Sequence, residues 1–293
     1  MGSLVAAVAS YLEAQRHSGD WLVRIEDIDP PREVPGAGDQ ILRALDIHGF
    51  QYASPVLQHT RLDAYKSTIE TLIAAGQAYQ CSCTRQVIEA TARRGRIGLV
   101  YPGTCRDGIA DPDKGDYALR LRTSTQQLSF NDQLQGMQSC RLEPEVGDFV
   151  IRRRDGLIAY QLAVVVDDAW QGITDVVRGI DLLDATFMQI YLQKLLGYAE
   201  PRYHHIPIII DTNGEKLSKQ TGAPALNLRN PVRNIFQALV LLKQSPDKNL
   251  SKAKLDDVWA WAIQHWNPAA LAGQQQIPSD ESMIVSVNRT LEQ

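Results

Sequence analysis

The apolar residues Leu4, Val8, Tyr11 and Leu12 fall on one face at helical spacing, which predicts an amphipathic helix at the start of the chain, stopped near Gly19. Residues 21–25 then read as a short buried strand, closed by Pro30 and Pro31 because proline cannot donate to a ladder. Helical periodicity returns around residues 39–45 and 62–73, the second with Leu62, Tyr65, Ile69, Leu72 and Ile73 on one stripe and Gly76 as its stop. From residue 79 to about 149 the texture changes to short segments, among them an alternating strand through Tyr117, Leu119 and Leu121, and this stretch reads as an insertion. A regular pattern resumes with a strand at 149–152, an Asp155-Gly156 turn, a helix over 160–166, a strand at 173–177 and a helix over 185–196 that ends at Gly197. The apolar run 206–210 leads into a turn at 211–214, and helical segments follow around 234–243 and 252–266. Helices alternating with short strands predict an α/β fold.

Composition narrows the classes. The chain of 293 residues, 44% hydrophobic and 22% charged, can bury a substantial core. A net charge of -4 argues against a protein that coats nucleic acid non-specifically, so RNA contact would fall to local patches such as Arg93, Arg94 and Arg96, or Arg152, Arg153 and Arg154. Each patch alone reads equally well as a solvated surface run. Four unevenly spaced cysteines do not make a secreted disulfide framework and fit a reducing cytosol. The apolar stretch 4–12 is not preceded by Lys or Arg, as a signal peptide would be, and no apolar run reaches the ~18 residues of a membrane span. Position 6 is Ala, which removes the myristoylation pattern.

Three motifs carry candidate chemistry. In LVRIEDID (22–29), period-2 alternation puts Leu22, Arg24 and Glu26 on one side of a strand, with Asp27 and Asp29 leaving its C-terminal end, where α/β sheets bind ligands. A carboxylate there can hold an ammonium; the plain alternative is a strand-end salt bridge. In KLSKQ (216–220), just after the Asn213-Gly214 turn, Lys216, Ser218 and Lys219 suit neutralisation of polyphosphate charge, although a solvated loop has the same composition. Cys81, Cys83 and Cys105, with Tyr101 four residues before the last, can supply thiolates to a tetrahedral zinc site. No histidine lies nearby to complete it, and Cys140 is the rival to Tyr101 as fourth donor.

Taken in order, LVRIEDIDPPRE, the CSC and YPGTC pair, IAYQLAVVVDD, ITDVVRGIDLL and KLSKQ resemble the catalytic core of glutamyl-tRNA synthetases over nearly all of residues 22–220. Their wording is similar to that of the short glutamyl-queuosine tRNA(Asp) synthetases. The resemblance implies a Rossmann-type class I synthetase fold: residues 1–78 as the first half of the catalytic domain without its first strand, 79–148 as a zinc-containing insertion, 149–230 as the second half with the KLSKQ loop, and 231–293 as a helical segment too short for an anticodon-binding domain. It implies a ligase that activates glutamate with ATP and Mg²⁺ and passes the glutamyl group to the queuosine base of tRNA(Asp). Glu26 would take the α-amino group, and Tyr160 and Arg178 would contact glutamate. Lys219, Lys216 and Ser218 would assist adenylate formation, with Lys219, Gly2 and Ser3 on ATP. Zinc would sit on Cys81, Cys83, Tyr101 and Cys105. The implied partners are glutamate, ATP and the anticodon region of tRNA(Asp), met by a monomeric cytoplasmic enzyme. Two alternatives stay open: a truncated glutamyl-tRNA synthetase acting on tRNA(Glu), and a catalytically inactive tRNA-binding module.

The front of the chain departs from the pattern. Family members have a first strand, a loop carrying a glutamate-binding arginine and serine, and a His-x-Gly-x signature; here Met1-Gly2-Ser3-Leu4 overlies the tail of that signature. The expectation is an unpaired slot in the parallel sheet, costly in unmet backbone hydrogen bonds, and a start codon further upstream.

Overall fold

The computed structural model describes residues 1–109, 117–211, 213–217 and 226–279. The opening stripe forms helix α1 (Gly2–Arg16), which buries Leu4, Val8, Tyr11 and Leu12. It ends before Gly19, with Ser18 taking a left-handed φ of 52°. The strand expected over 21–25 is reduced to β1 (Arg24–Ile25), followed by α2 (Ala37–Ile47) and by β2 (Val56–Leu57), which pairs with β1 in parallel. A two-residue partner can extend the ladder no further.

Helix α3 (Leu62–Ala74) buries Tyr65, Ile69 and Leu72, but Leu62 and Ile73 are 38% and 46% exposed. The buried stripe is thus narrower than the spacing predicts, with Leu62 and Ile73 at its exposed margins. Helix α2 buries no residue fully; its apolar residues rest at the surface of the core, and Ile41 is exposed.

The short segments comprise β3 (Ala78–Cys81), α4 (Arg85–Thr91), β4 (Arg93–Arg94), β5 (Leu99–Val100), β6 (Ala118–Leu121), β7 (Gln127–Asp132), β8 (Gly136–Arg141) and a single turn, α5 (Leu142–Glu145). Their pairings are antiparallel: β4 with β5, β7 with β8, and β6 between β3 and β9 (Phe149–Arg152). Strand β9, read from the sequence as the return of the α/β pattern, is therefore hydrogen-bonded into the antiparallel sheet. In β6, Leu119 and Leu121 point into the core as the alternation requires.

Helix α6 (Tyr160–Gln171) is followed by β10 (Asp175–Gly179), α7 (Thr186–Leu196), β11 (Arg202–Ile206) and β12 (Ile208–Ile210). Gly172 and Gly197 close α6 and α7 in the left-handed region, where a side chain would be strained. β10 and β11 pair in parallel. The run 206–210, read as one apolar segment, is split by Pro207, and β12 turns to a different parallel partner, β13 (Gln276–Pro278), reached after α8 (Pro231–Leu241) and α9 (Leu255–His265).

Two main cores result. Helix α1 packs with α8 and α9 around Tyr11, Phe50 and Trp259, whose rings meet edge to face at 4.9–5.3 Å. The other core joins α3 and α6 to β6 and β9 through Tyr65, Leu121, Ile151 and Leu162. Among the described residues, β1 bonds only β2 and β10 bonds only β11. Beside them lies a cleft of about 740 Å³, lined by Leu4, Val5 and Ala6 of α1, Arg24 of β1 and Val177 and Arg178 of β10. Among the described residues no helix is long and apolar enough to cross a membrane.

Candidate active site

A set of ionic groups gathers where β1, α6 and β10 approach one another. Arg24 leaves β1 half-buried and is held from α6: Nη2 donates to Asp168 Oδ1 (2.7 Å) and Nη1 to Gln171 Oε1 (2.6 Å). The adjoining Asp167 is fully buried and ionically satisfied, accepting from Tyr65 Oη (2.6 Å), Arg61 Nε (2.5 Å) and Gln58 Nε2 (2.9 Å). Consecutive aspartates on one helix thus serve different sides: Asp167 anchors α3 and the segment after β2, while Asp168 sets Arg24.

Glu26 lies beyond the end of β1 and remains accessible to solvent. Burial of its other sides pushes its carboxyl above the ordinary range; Arg24 and Arg178 pull it back in part, and Asp168 adds to the rise. Tyr160, the first residue of α6, feels Glu26, Arg178 and Asp168 in turn, and burial raises its phenol. Glu26, Tyr160 and Arg178 therefore share one electrostatic neighbourhood.

Arg178 is fixed more firmly than a surface arginine. Its Nε–H donates to His205 Nε2 (3.1 Å), and Nη2 donates to Thr186 Oγ1 (2.7 Å) and Gln189 Oε1 (2.8 Å). These partners come from β11 and α7. Nη1 carries no hydrogen bond among the described residues. Two buried donors in the same neighbourhood, Arg24 Nε and Gln189 Nε2, also find no acceptor there. Left unmet, such buried donors cost free energy.

Gly2 and Ser3 line the cleft with Arg178, Asp181 and Lys216. Added side-chain carbon at Gly2 would come within 3.2 Å of the Leu217 carbonyl, so the helix start and the 216–217 segment lie against each other. That segment is folded back by the turn after β12: Asp211 Oδ1 accepts from the Asn213 and Glu215 amides, and Leu217 N–H donates to Ile209 O (2.8 Å). Lys216 Nζ reaches Asp181 Oδ2 at 2.5 Å. Gly179 leaves room beside that pair for the Asp181 carboxylate, which a methyl at this position would displace. Ser218, Lys219 and Gln220 lie outside the described residues, so the structure does not test their convergence on this cleft.

The thiol set comes together. The sulfur atoms of Cys81, Cys83 and Cys105 lie within 4.8 Å of one another. Tyr101 Oη sits 3.3 Å from Cys81 Sγ and 3.5 Å from Cys83 Sγ, and it accepts from the Cys105 amide at 2.9 Å. Against the raising effect of burial, hydrogen bonds from Tyr101 and the Ser82 backbone bring the Cys105 thiol down to about 7. Cys140 lies in another cluster, among Phe130, Leu142 and Phe187, which removes it as the fourth donor. Three soft donors in a small buried cup fit a divalent metal of zinc type.

The basic runs are largely spent on protein partners: Arg96 pairs with Asp184 (2.5 Å), Arg153 with Asp155 (2.7 Å), and Arg154 donates to Ser82 O (2.5 Å). Arg93 and Arg94 stay exposed on β4.

Residues 1–234 match the family model for the catalytic domain of class I tRNA synthetases (E and Q). The chain belongs to that family. Among its relatives, a glutamyl-Q tRNA(Asp) synthetase of Dechloromonas aromatica is 50% identical over 279 residues, covering 94% of this chain and 92% of the relative. One from Chromobacterium violaceum is 49% identical, with 94% and 93% covered. Among solved structures, a glutamate tRNA ligase from Elizabethkingia meningosepticum, crystallised with its amino acid, superposes with a TM-score of 0.79 at 22% identity, over 99% of this chain and 66% of that one. The fold is that of class I synthetases, with mixed α and β content.

Residues that sequence reasoning missed are those that hold the site's groups: Asp168 and Gln171 on Arg24, and His205, Thr186, Gln189 and Asp132 behind Arg178. The VVVDD string contains Asp168 and the YHHI string His205, but a buried polar residue has no periodic signature.

Proposed function

We propose that this chain activates glutamate with ATP and transfers the glutamyl group to the queuosine base of tRNA(Asp). The observation that carries the reading is the grouping of Glu26, Tyr160 and Arg178 beside a cleft whose rim holds Gly2, Ser3 and Lys216. Glu26 holds the α-ammonium of glutamate, Tyr160 packs against the substrate, and the free edge of Arg178 takes a carboxylate. ATP, with Mg²⁺ as counter-charge, places its phosphates at the start of α1, where backbone N–H groups and the helix dipole favour anions. The α-carboxylate oxygen bonds the α-phosphorus, the bond to the β-bridging oxygen breaks, and pyrophosphate leaves with Lys216, Ser218 and Lys219 bearing its charge. A hydroxyl of the queuosine base then attacks the mixed anhydride, and AMP departs.

The test is transfer of labelled glutamate to tRNA(Asp) with and without queuosine, and to tRNA(Glu). Label appearing only on queuosine-bearing tRNA(Asp) supports the proposal; label confined to tRNA(Glu) refutes it.

The Rossmann-type division into two halves around an insertion at 79–148, followed by a helical segment at 231–293, belongs to the same proposal, as does action as a monomer in the cytoplasm, where thiols stay reduced. Cys81, Cys83, Tyr101 and Cys105 would hold zinc, which supplies a structural clip to a region of short strands. Purified chain is expected to carry about one zinc, and Cys105→Ser to carry much less and unfold at lower temperature. Undiminished stability of metal-stripped protein would rule the clip out.

The raised Glu26 carboxyl gives a pH prediction. The charged form that binds ammonium is complete above the raised pKa and lost as pH falls through it. kcat/KM for glutamate in ATP–pyrophosphate exchange should therefore decline on the acid side earlier than an ordinary glutamate would allow. Glu26→Gln should lower kcat/KM roughly ten- to hundredfold, the loss of one charge-assisted hydrogen bond, and flatten that limb. An acid limb unchanged in this variant would assign the titration elsewhere.

A further inference from the structure

Behind Arg178 lies a buried pair that the chemistry above does not use. Asp132, at the end of β7, and His205, on β11, both have fully buried side chains. His205 Nδ1 lies 2.6 Å from Asp132 Oδ2, while Asp132 Oδ1 also accepts from the Leu134 and Gln135 amides at 3.0 and 2.9 Å. A carboxylate so supplied can only accept, which puts the ring proton on Nδ1. On the other side of the ring, Nε2 faces the Arg178 Nε–H at 3.1 Å, with the Thr186 hydroxyl, compatible with either ring state, at 3.2 Å. An arginine can only donate, so Nε2 must be unprotonated. Both neighbours select the same neutral tautomer.

We propose that Asp132 and His205 are positioning residues for amino-acid recognition: Asp132 fixes the His205 tautomer, and the resulting acceptor orients the Arg178 guanidinium toward the substrate carboxylate. This rests on the reading of Arg178 as a glutamate ligand. Burial lowers the His205 pKa, and although the Asp132 hydrogen bond raises it in part, the nearby Arg178 charge adds to the fall, in keeping with a neutral ring. Thr186 and Gln189 hold Nη2, so the histidine determines the remaining rotation of the fork, about its Nε edge. Because Asp132 belongs to the β7–β8 hairpin and His205 to a strand paired with β10, the device also ties the hairpin's placement to the geometry of the site.

The deciding substitution is Asp132→Asn. It keeps the size and the acceptor used by the backbone amides, but its amide nitrogen can donate to Nδ1 and drive the ring proton to Nε2, against the Arg178 N–H. The expected result is a rise of about tenfold or more in the KM for glutamate in pyrophosphate exchange, with the KM for ATP unchanged and the His205 proton moved from Nδ1 to Nε2 in ¹⁵N-resolved spectra. His205→Gln, which can place an amide oxygen near the Nε2 position, should keep the KM for glutamate close to the parental value, whereas His205→Leu should raise it. Lost thermal stability with an unchanged KM for glutamate would overturn the proposal by showing a purely structural pair. Should Asp132→Asn fail to fold, the contrast between Gln and Leu at position 205 decides, and equal KM values overturn it. Arg178→Ala separates the two levels: if it raises the KM while Asp132→Asn does not, only the positioning role falls, and if Arg178→Ala has no effect, the underlying reading falls with it.

Discussion

Arg178→Ala is expected to raise the KM for glutamate in ATP–pyrophosphate exchange by about a hundredfold or more, with the KM for ATP nearly unchanged. The magnitude follows from the way the side chain is held. His205, Thr186 and Gln189 fix Nε and Nη2, so the guanidinium meets its ligand without ordering itself first. A carboxylate on the remaining edge gains charge-assisted hydrogen bonds of roughly 1.5–3 kcal/mol each, and about 1.4 kcal/mol corresponds to tenfold in affinity. Lysine should recover little of this, because an ammonium on a flexible stem neither forms the planar fork nor fills the contacts to Thr186 and Gln189. A KM within the parental range in Arg178→Ala would remove Arg178 from substrate binding.

The second large effect is on stability. Asp167→Ala should cost about 3–5 kcal/mol, read as a lower urea midpoint with an unchanged slope. The carboxylate is fully buried and accepts from Tyr65, Arg61 and Gln58, with Arg24 Nε 3.9 Å away. Removing it strands the Arg61 guanidinium, the buried Tyr65 phenol and the Gln58 amide together, and such uncompensated groups are costlier than the missing attraction alone. Because Asp167 joins α6 to α3 and to the residues after β2, the loss should loosen the wall on which Arg24 and Glu26 stand. A cost below about 1 kcal/mol would mean that water takes over the role of the carboxylate.

Local signals and long-range ones differed sharply in how much they revealed. The stripe of α1 was legible because Leu4, Val8, Tyr11 and Leu12 all face one core, and Gly197 marked the end of α7 by its left-handed φ of 68°. The stripe of α3 was overread: Leu62 and Ile73 have the right spacing but lie at its margins, and spacing does not state how wide the neighbouring element is. The break at Pro207 was missed although proline removes a ladder donor, because the surrounding isoleucines dominate the apolar signal. Strand β13 has only Ile277 as a buried residue and no alternation to read.

At the site, Glu26, Tyr160 and Arg178 were selected through ordered motifs, and the structure groups them. Their supports were not selected, since Asp168 lies 144 residues from Arg24 and Asp132 lies 73 from His205. Nothing periodic connects residues so far apart. Tyr101 beside three cysteines was legible by resemblance, while chemistry alone left Cys140 as a rival until its burial among Phe130, Leu142 and Phe187 separated it.

The most direct test is a crystal structure of this chain with glutamate and a non-hydrolysable ATP analogue. The account predicts the amino group within about 3 Å of the Glu26 carboxylate, a substrate carboxylate on Arg178 and the triphosphate beside Gly2, Ser3 and Lys216. Glutamate bound away from Arg178, or the nucleotide on another face, would contradict it.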